Sequence, residues 1–222
     1  MRATALIADM AGTTVEDKGL VLAAFLDVLE ELGIPDGHPD RASAIDHVVR
    51  TMGRSKIEVF SELFGNTRAV VANDVFEAAV ERRILTDGAA AIPGVDWLLD
   101  ELPRRGVPVA LTTGFSPATR RALLAALGWD RSIPVAISPA DAGRGRPHPD
   151  MIEMAARRLG LSDLSGVVVA GDTASDMEAG VAAGAGMVLG VLTGSDDELR
   201  LFAAGATNVL SSLAALPGLL DV

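Results

Sequence analysis

Apolar positions along the chain come in two lengths and two periods. Five short runs, TALIAD (4–9), VPVALTT (107–113), IPVAIS (133–138), GVVVAGD (166–172) and GMVLGV (186–191), are rich in Val and Ile and bounded by Gly or Pro. Runs of that kind predict strands of a parallel sheet covered on both faces. Between them, residues 95–106, 116–128, 148–160 and 175–184 repeat with helical period, and several open on Ser or Pro and close on Gly. Those are start and stop signals of helices. Regular alternation of the two patterns predicts an α/β fold, a doubly wound, Rossmann-like parallel sheet with helices on both faces.

Residues 18–88 break this rhythm. LVLAAFLDVLEELG (20–33), a stretch near 40–51, SKIEVFSELFG (55–65) and RAVVANDVFEAAVERRIL (68–85) are all helical in period, with no convincing strand among them. A helical insert after the first strand predicts a small cap over the carboxyl edge of the sheet. The expected division is a core of residues 1–17 and 89–222 and an all-helical cap of residues 18–88. DGAAAIPGV (87–95) reads as the return linker, and residues 14–18 and 87–93 as hinges.

Composition narrows the classes. Of 222 residues, 49% are hydrophobic and 22% charged, which fits a globular chain with a large core. No window approaches the eighteen or so apolar residues that span a bilayer, and the first apolar run is short and ends at Asp9. We therefore expect no membrane partner and a cytoplasmic location. The net charge of −11 argues against nucleic acid, whose phosphates call for a basic patch. The absence of cysteine removes disulfide and thiolate chemistry. Of nineteen basic residues only Lys18 and Lys56 are lysine, so a role that needs a primary amine is easy to locate.

Parallel sheets bind ligands outside the carboxyl ends of their strands, and four polar clusters fall at those ends. Asp9 closes the first strand within ADMAGTT (8–14), and TTG (112–114) ends the second. GRGRPHP (143–149) follows the third and GDTASD (171–176) ends the fourth. A single Asp at a strand end is commonly a turn or capping residue. Two carboxylates, a hydroxyl and a guanidinium brought to one edge suit phosphoryl handling instead. Asp9 and Asp172 can share Mg²⁺, a hard cation that favours oxygen ligands, and Asp9 can attack phosphorus. The small residues Ala11 and Gly12 would let backbone N–H groups face phosphate oxygens. Thr113 and Gly114 would add a hydroxyl and an amide, and Arg146 would offset charge on the transferring group. His38, His47 and His148 lack metal-ligand spacing, and no nucleotide-type P-loop occurs.

Taken in order, DMAGTT, LTTG, GRGRP and GDTASD, with a helical insert after the first, resemble the haloacid dehalogenase superfamily of Mg²⁺-dependent hydrolases. Phosphatases of that superfamily usually carry a general acid two residues after the nucleophile, where this chain has Ala11. That exchange and the following GTT resemble the phosphonatases, the phosphonoacetaldehyde hydrolases, which also use Arg at the position of Arg146. The resemblance implies that Asp9 is the nucleophile, that Ala11 lends its backbone carbonyl to the metal, and that Gly12, Thr13, Met52, Gly53 and Gly114 meet the substrate. Asp176 would support Asp172 or stand behind the metal.

Phosphonatases activate the carbon–phosphorus bond through the imine of a lysine in a Met-Gly-x-x-Lys stretch, and MGRSK (52–56) places Lys56 there. An imine-forming lysine needs burial or a neighbouring positive charge, for which Arg54 is a candidate. Three readings of Lys56 stand at this point: imine chemistry, a charge clamp on phosphate, and a solvated helix start. The pattern departs at Val59, where phosphonatases carry His, and at Phe115, where they carry Tyr. The implied substrate is a small phosphonate or phosphorylated carbonyl compound. The alternatives are a phosphate ester handled by a small-metabolite phosphatase or phosphomutase, and a binding protein without turnover. The family also implies a possible homodimer, for which the apolar face of residues 20–32 is a candidate. Packing inside the cap is an equal account of that face.

Overall fold

The computed structural model describes residues 2–220; positions 1, 221 and 222 of the expected core lie outside the described residues. Six strands form one parallel sheet: β1 (Ala5–Asp9), β2 (Val109–Thr112), β3 (Val135–Ile137), β4 (Val167–Gly171), β5 (Met187–Val191) and β6 (Asn208–Leu210). Their order is β3-β2-β1-β4-β5-β6, the doubly wound arrangement whose switch point lies between β1 and β4. All five predicted strands are present. The sixth, β6, has three half-buried residues at the sheet's edge, a run too short to carry a readable period.

Burial explains why the first strand reads as continuously apolar. All five residues of β1 are buried, but they alternate between faces. Leu6 and Ala8 join one hydrophobic cluster and Ala5 and Ile7 join another. Helix α5 (Val95–Arg104) supplies Leu98 and Leu102 to the first cluster, and α8 (Asp150–Arg158) supplies Met151, Ile152 and Ala155 to the second. A central strand with both faces covered has no polar side to show. The remaining helices outside the insert are α6 (Pro117–Leu127), α7 (Pro139–Ala142), α9 (Ala174–Ala182), α10 (Glu198–Ala203) and a 3-10 helix at Leu213–Leu219.

Between β1 and β2 lie α1 (Leu20–Glu31), α2 (Arg41–Arg50), α3 (Lys56–Phe64) and α4 (Asn66–Asp87), with no strand among the described residues. Helix α1 buries Val21, Ala24, Phe25, Val28 and Leu29, and α4 buries Ala69, Ala72, Phe76, Ala79, Val80 and Ile84. Both sets repeat at three and four residues, so each helix turns one stripe inward. The two helices pack together, and Asp27 of α1 accepts hydrogen bonds from Arg83 of α4 at 2.8 and 3.2 Å. The apolar face of α1 is thus covered within the chain. The two connections to the insert run side by side: Glu16 N–H donates to Ala90 O at 2.9 Å and Ile92 N–H to Thr14 O at 3.0 Å.

Candidate active site

The carboxyl ends of β1, β2 and β4 face a cavity of about 40 Å³ that residues 52–56 close from the other side. Asp9, Ala11, Met52, Gly53, Lys56, Thr113, Gly114, Arg146 and Asp172 all line it. The residues the sequence scatters over more than 160 positions are therefore brought to one place. Gly12, Thr13 and Asp176 stand immediately behind them.

Residues 9–15 form a tight turn in which Thr13, Thr14 and Val15 N–H all donate to Met10 O. Gly12 has φ of 85°, and a side-chain carbon there would stand 2.6 Å from an Asp172 oxygen. Glycine is the residue that fits that conformation and that space. Its amide is not free for phosphate, as the sequence suggested, because it donates to Val15 O at 2.8 Å inside the turn. Gly12 contributes room, not a donor. The Thr13 hydroxyl donates to Asp172 Oδ1 at 3.1 Å, and Ser195 N–H donates to Asp172 Oδ2 at 2.8 Å, so Asp172 is held on both oxygens.

Arg146 is 2% exposed and uses every edge of its guanidinium. Its Nη2 lies 2.6 Å from Asp9 Oδ1 and donates to the Thr112 hydroxyl at 2.8 Å. Its Nε lies 2.9 Å from Asp176 Oδ1, and Nη1 donates to Gly53 O at 3.2 Å. A lysine has one tip and cannot serve four acceptors in those directions. Asp176 therefore supports Arg146, and not Asp172, with its other oxygen accepting from the Thr173 hydroxyl at 2.5 Å. Burial works against the charge of Arg146, yet Asp176 and Asp9 more than offset it and hold the guanidinium protonated.

Burial raises the proton affinity of Asp9 to about 7, with Arg146 opposing and Asp176 adding to the rise. Asp172 is pushed well up, first by burial and then by the charges of Asp9 and Asp176. Two desolvated carboxylates on one cavity, which Ala11 also lines, offer the oxygen chemistry that a hard divalent cation takes. A cation there would remove the repulsion that burial now imposes.

Lys56 opens α3 and is 8% exposed, so a solvated helix start is ruled out. Its ammonium stands 6.0 Å from the Phe76 ring centre and forms no ion pair among the described residues. Desolvation lowers its proton affinity below the ordinary lysine value. The charge of Arg146 lowers it further, while Asp9, Asp17 and Glu77 oppose. The positive neighbour is therefore Arg146. Arg54, the sequence candidate, points elsewhere and pairs with Glu62 at 2.5 Å. Val59 is buried with Phe60.

The Thr113 hydroxyl accepts from Phe115 N–H at 3.2 Å, which leaves its own proton to donate into the cavity. Gly114 admits the insert closely, since a side chain there would stand 2.8 Å from Arg54 O. Four contributors escaped the sequence reading: Thr112, Asp17, Thr193 and Ser195. Thr193 donates to Gly12 O at 2.6 Å. The signal available for the last two was the polar TGS (193–195) after the fifth apolar run, another strand end on the same edge.

Comparison with known proteins fits this geometry. Residues 3–184 match the haloacid dehalogenase-like hydrolase family. The chain belongs to that family. It is phosphonatase-like within it: phosphonoacetaldehyde hydrolase of Bacillus cereus (strain AH187) is 30% identical over 214 residues, covering 89% of this chain and 78% of the relative. The bifunctional phosphonoacetaldehyde hydrolase/aminoethylphosphonate transaminase of Clostridioides difficile (strain 630) is also 30% identical, over 209 residues. That match covers 87% of this chain, which spans about a third of the bifunctional relative (32%). Among solved structures, a phosphonoacetaldehyde hydrolase-like protein from Oleispira antarctica is similar with a TM-score of 0.83 and 25% identity, over 99% of this chain and 91% of that one. No described helix is long and apolar enough to cross a membrane.

Proposed function

We propose that this hydrolase cleaves a small phosphonate or phosphorylated carbonyl compound, with Asp9 attacking phosphorus and Lys56 forming an imine with the substrate carbonyl. The observation that carries this reading is the state of Lys56: a buried amine, depressed in basicity, lining the same cavity as Asp9. An amine must be neutral to attack a carbonyl, and a clamp for phosphate would instead be kept charged.

In this reading the Lys56 amine adds to the carbonyl and loses water. One Asp9 oxygen then attacks phosphorus while Arg146 holds the other. The electron pair of the breaking carbon–phosphorus bond passes into the imine and leaves an enamine. Protonation of its carbon and hydrolysis of the imine return Lys56, and water cleaves the aspartyl-phosphate. Mg²⁺, held by Asp9, Asp172 and the Ala11 carbonyl, would screen the charge between carboxylate and phosphoryl group. Thr113 donates its hydroxyl to a phosphoryl oxygen, and Arg146 offsets charge that develops there. The absence of an acid at Ala11 suits a leaving group that the imine has already activated.

Residues 18–88 act in this reading as a mobile cap. Residues 52–56 bound the cavity opposite the strand ends, so movement of that segment would widen access to Asp9. Closure expels water and brings Lys56 to Asp9. A second reading, a phosphatase in which Lys56 only clamps phosphate, is favoured by Val59. Its buried apolar side chain leaves no proton carrier at that position.

Phosphate release from phosphonoacetaldehyde with Mg²⁺, measured beside a panel of phosphomonoesters with and without borohydride, separates the two. Release that borohydride abolishes, with mass added on Lys56, is the expected result. Release from phosphomonoesters alone, indifferent to borohydride, would establish the clamp.

A further inference from the structure

Glu77 lies in α4, on the insert, yet among the described residues its side chain hydrogen-bonds to Ser116 and Thr119 of the sheet domain. Its carboxylate accepts from Ser116 N–H at 3.1 Å, from the Ser116 hydroxyl at 2.6 Å, and from the Thr119 hydroxyl. Ser116 is itself the N-cap of α6, its Oγ accepting from Thr119 N–H at 3.2 Å. Glu77 makes no ion pair among the described residues. A charged acceptor gripping three neutral donors forms bonds stronger than neutral pairs do. They exist only while insert and sheet domain are in contact.

The place of these bonds gives them a consequence for the site. Ser116 follows Thr113, Gly114 and Phe115, three residues that line the active cavity. Phe76, next to Glu77, stacks on Phe115 with ring centres 6.2 Å apart. Helix α3, which starts at Lys56, packs on α4. Glu77 and Lys56 also border a second cavity of about 120 Å³ at the join, together with Gly114 and Phe115. The carboxylate thus ties the body that carries Lys56 to the segment that carries Thr113.

We propose that Glu77 is a positioning residue, which sets Lys56 over the Thr113–Phe115 segment by latching α4 to the first turn of α6 and lets go when the insert lifts. This rests on the reading of residues 18–88 as a mobile cap. Residues 116 and 119 give the variant that separates latch from charge. Glu77→Gln removes charge and one acceptor face, whereas Ser116→Ala with Thr119→Val removes the two hydroxyl donors, leaves the backbone N–H of residue 116, and keeps the carboxylate.

Backbone hydrogen exchange on the full chain without substrate decides the matter. Both variants should speed exchange roughly tenfold in the linkers (14–18 and 87–93) and at 113–116, while β4 amides stay protected as in the parent. In turnover both should raise KM more than they lower kcat, and the triple variant should be no worse than Glu77→Gln, since one interaction is lost only once. Linkers unchanged in both variants would overturn the proposal, as would an effect of Glu77→Gln alone, which would make Glu77 an electrostatic neighbour of Lys56. Faster exchange in β4 as well would reduce it to a stabilising contact. If the parent turns over no substrate of the proposed class, the reading of the reaction fails while the exchange result still tests the latch.

Discussion

On the sheet side of the cavity every charge has a partner: Asp9 and Asp176 share Arg146, and Asp172 is held by Thr13 and Ser195. On the helical side Lys56 has none within ion-pair distance among the described residues; it lies near Phe76 and in the fields of Asp9 and Arg146. The paired side is rigid and preorganised, as stabilisation of a phosphoryl group requires. The unpaired side sets an amine whose charge is poorly solvated. Pairing fixes geometry and preserves charge, while isolation lowers the basicity of the amine and so favours its reactive form.

The largest effects should come from breaking the paired side at its nucleophile. Asp9→Asn should lower turnover on the order of 10⁴-fold or more in a phosphate-release assay, with the fold intact by circular dichroism. Residual activity near the parent's would remove Asp9 from the reaction. Next is Lys56→Arg, which supplies a permanent cation at that position and cannot form an imine. It should abolish carbon–phosphorus cleavage and borohydride labelling together, and an active, unlabelled variant would make this residue a clamp.

The isolation of Lys56 also predicts a pH signature. Its basicity lies below the ordinary lysine value of 10.5, so trapping of the amine by an aldehyde and borohydride should rise with pH at a midpoint below that value. A midpoint at the ordinary lysine value would deny the desolvation argument.

Gly53 joins the two sides. It has φ of 83°, its carbonyl accepts from Arg146, and a side chain there would strike Thr173. Gly53→Ala should cost about 1–3 kcal/mol of strain in the closed arrangement, seen as a raised KM with the melting temperature moving little. An unchanged KM would show that residues 52–56 need not press on the sheet domain.

The smallest effect lies far from the cavity. Arg83, by hydrogen bonding against a smaller desolvation penalty, lowers the proton affinity of Asp27 below its ordinary 3.8. The folded state then binds that proton less readily than the unfolded one. The pair's contribution is present above the unfolded value and is lost as pH falls through the folded one. Half-exposed pairs contribute about 0–1 kcal/mol, so Asp27→Asn should shift melting slightly at neutral pH and not at all in strong acid. An equal shift at both pH values would point to packing instead.

Much of this was legible in the sequence, for stated physical reasons. Strands buried on both faces read as unbroken apolar runs, and five of six were plain; β6, with three half-buried residues, had no run to read. Asp9, Thr113, Arg146 and Asp172 stood out because they close or follow such runs. Arg54 is the positive neighbour that nearness in sequence predicts for Lys56, but its side chain pairs with Glu62. Arg146, ninety residues away, takes that place. Thr112 and Thr113 are indistinguishable in the sequence, which does not say which side of the strand end each hydroxyl faces; Thr112 accepts from Arg146.

Local pattern in the chain carried five of the six strands, the longer helices, the helical stretch after β1 and the residue types at the sheet's carboxyl edge, since periodicity and strand ends are local properties. Only the tertiary structure decided which of those groups touch. That Asp176 serves Arg146, that the Gly12 amide is occupied, that Lys56 is dry, and that Glu77 grips α6 all depend on distances between segments far apart in the chain. Charge and desolvation act through space, and space is what the order of residues leaves unstated.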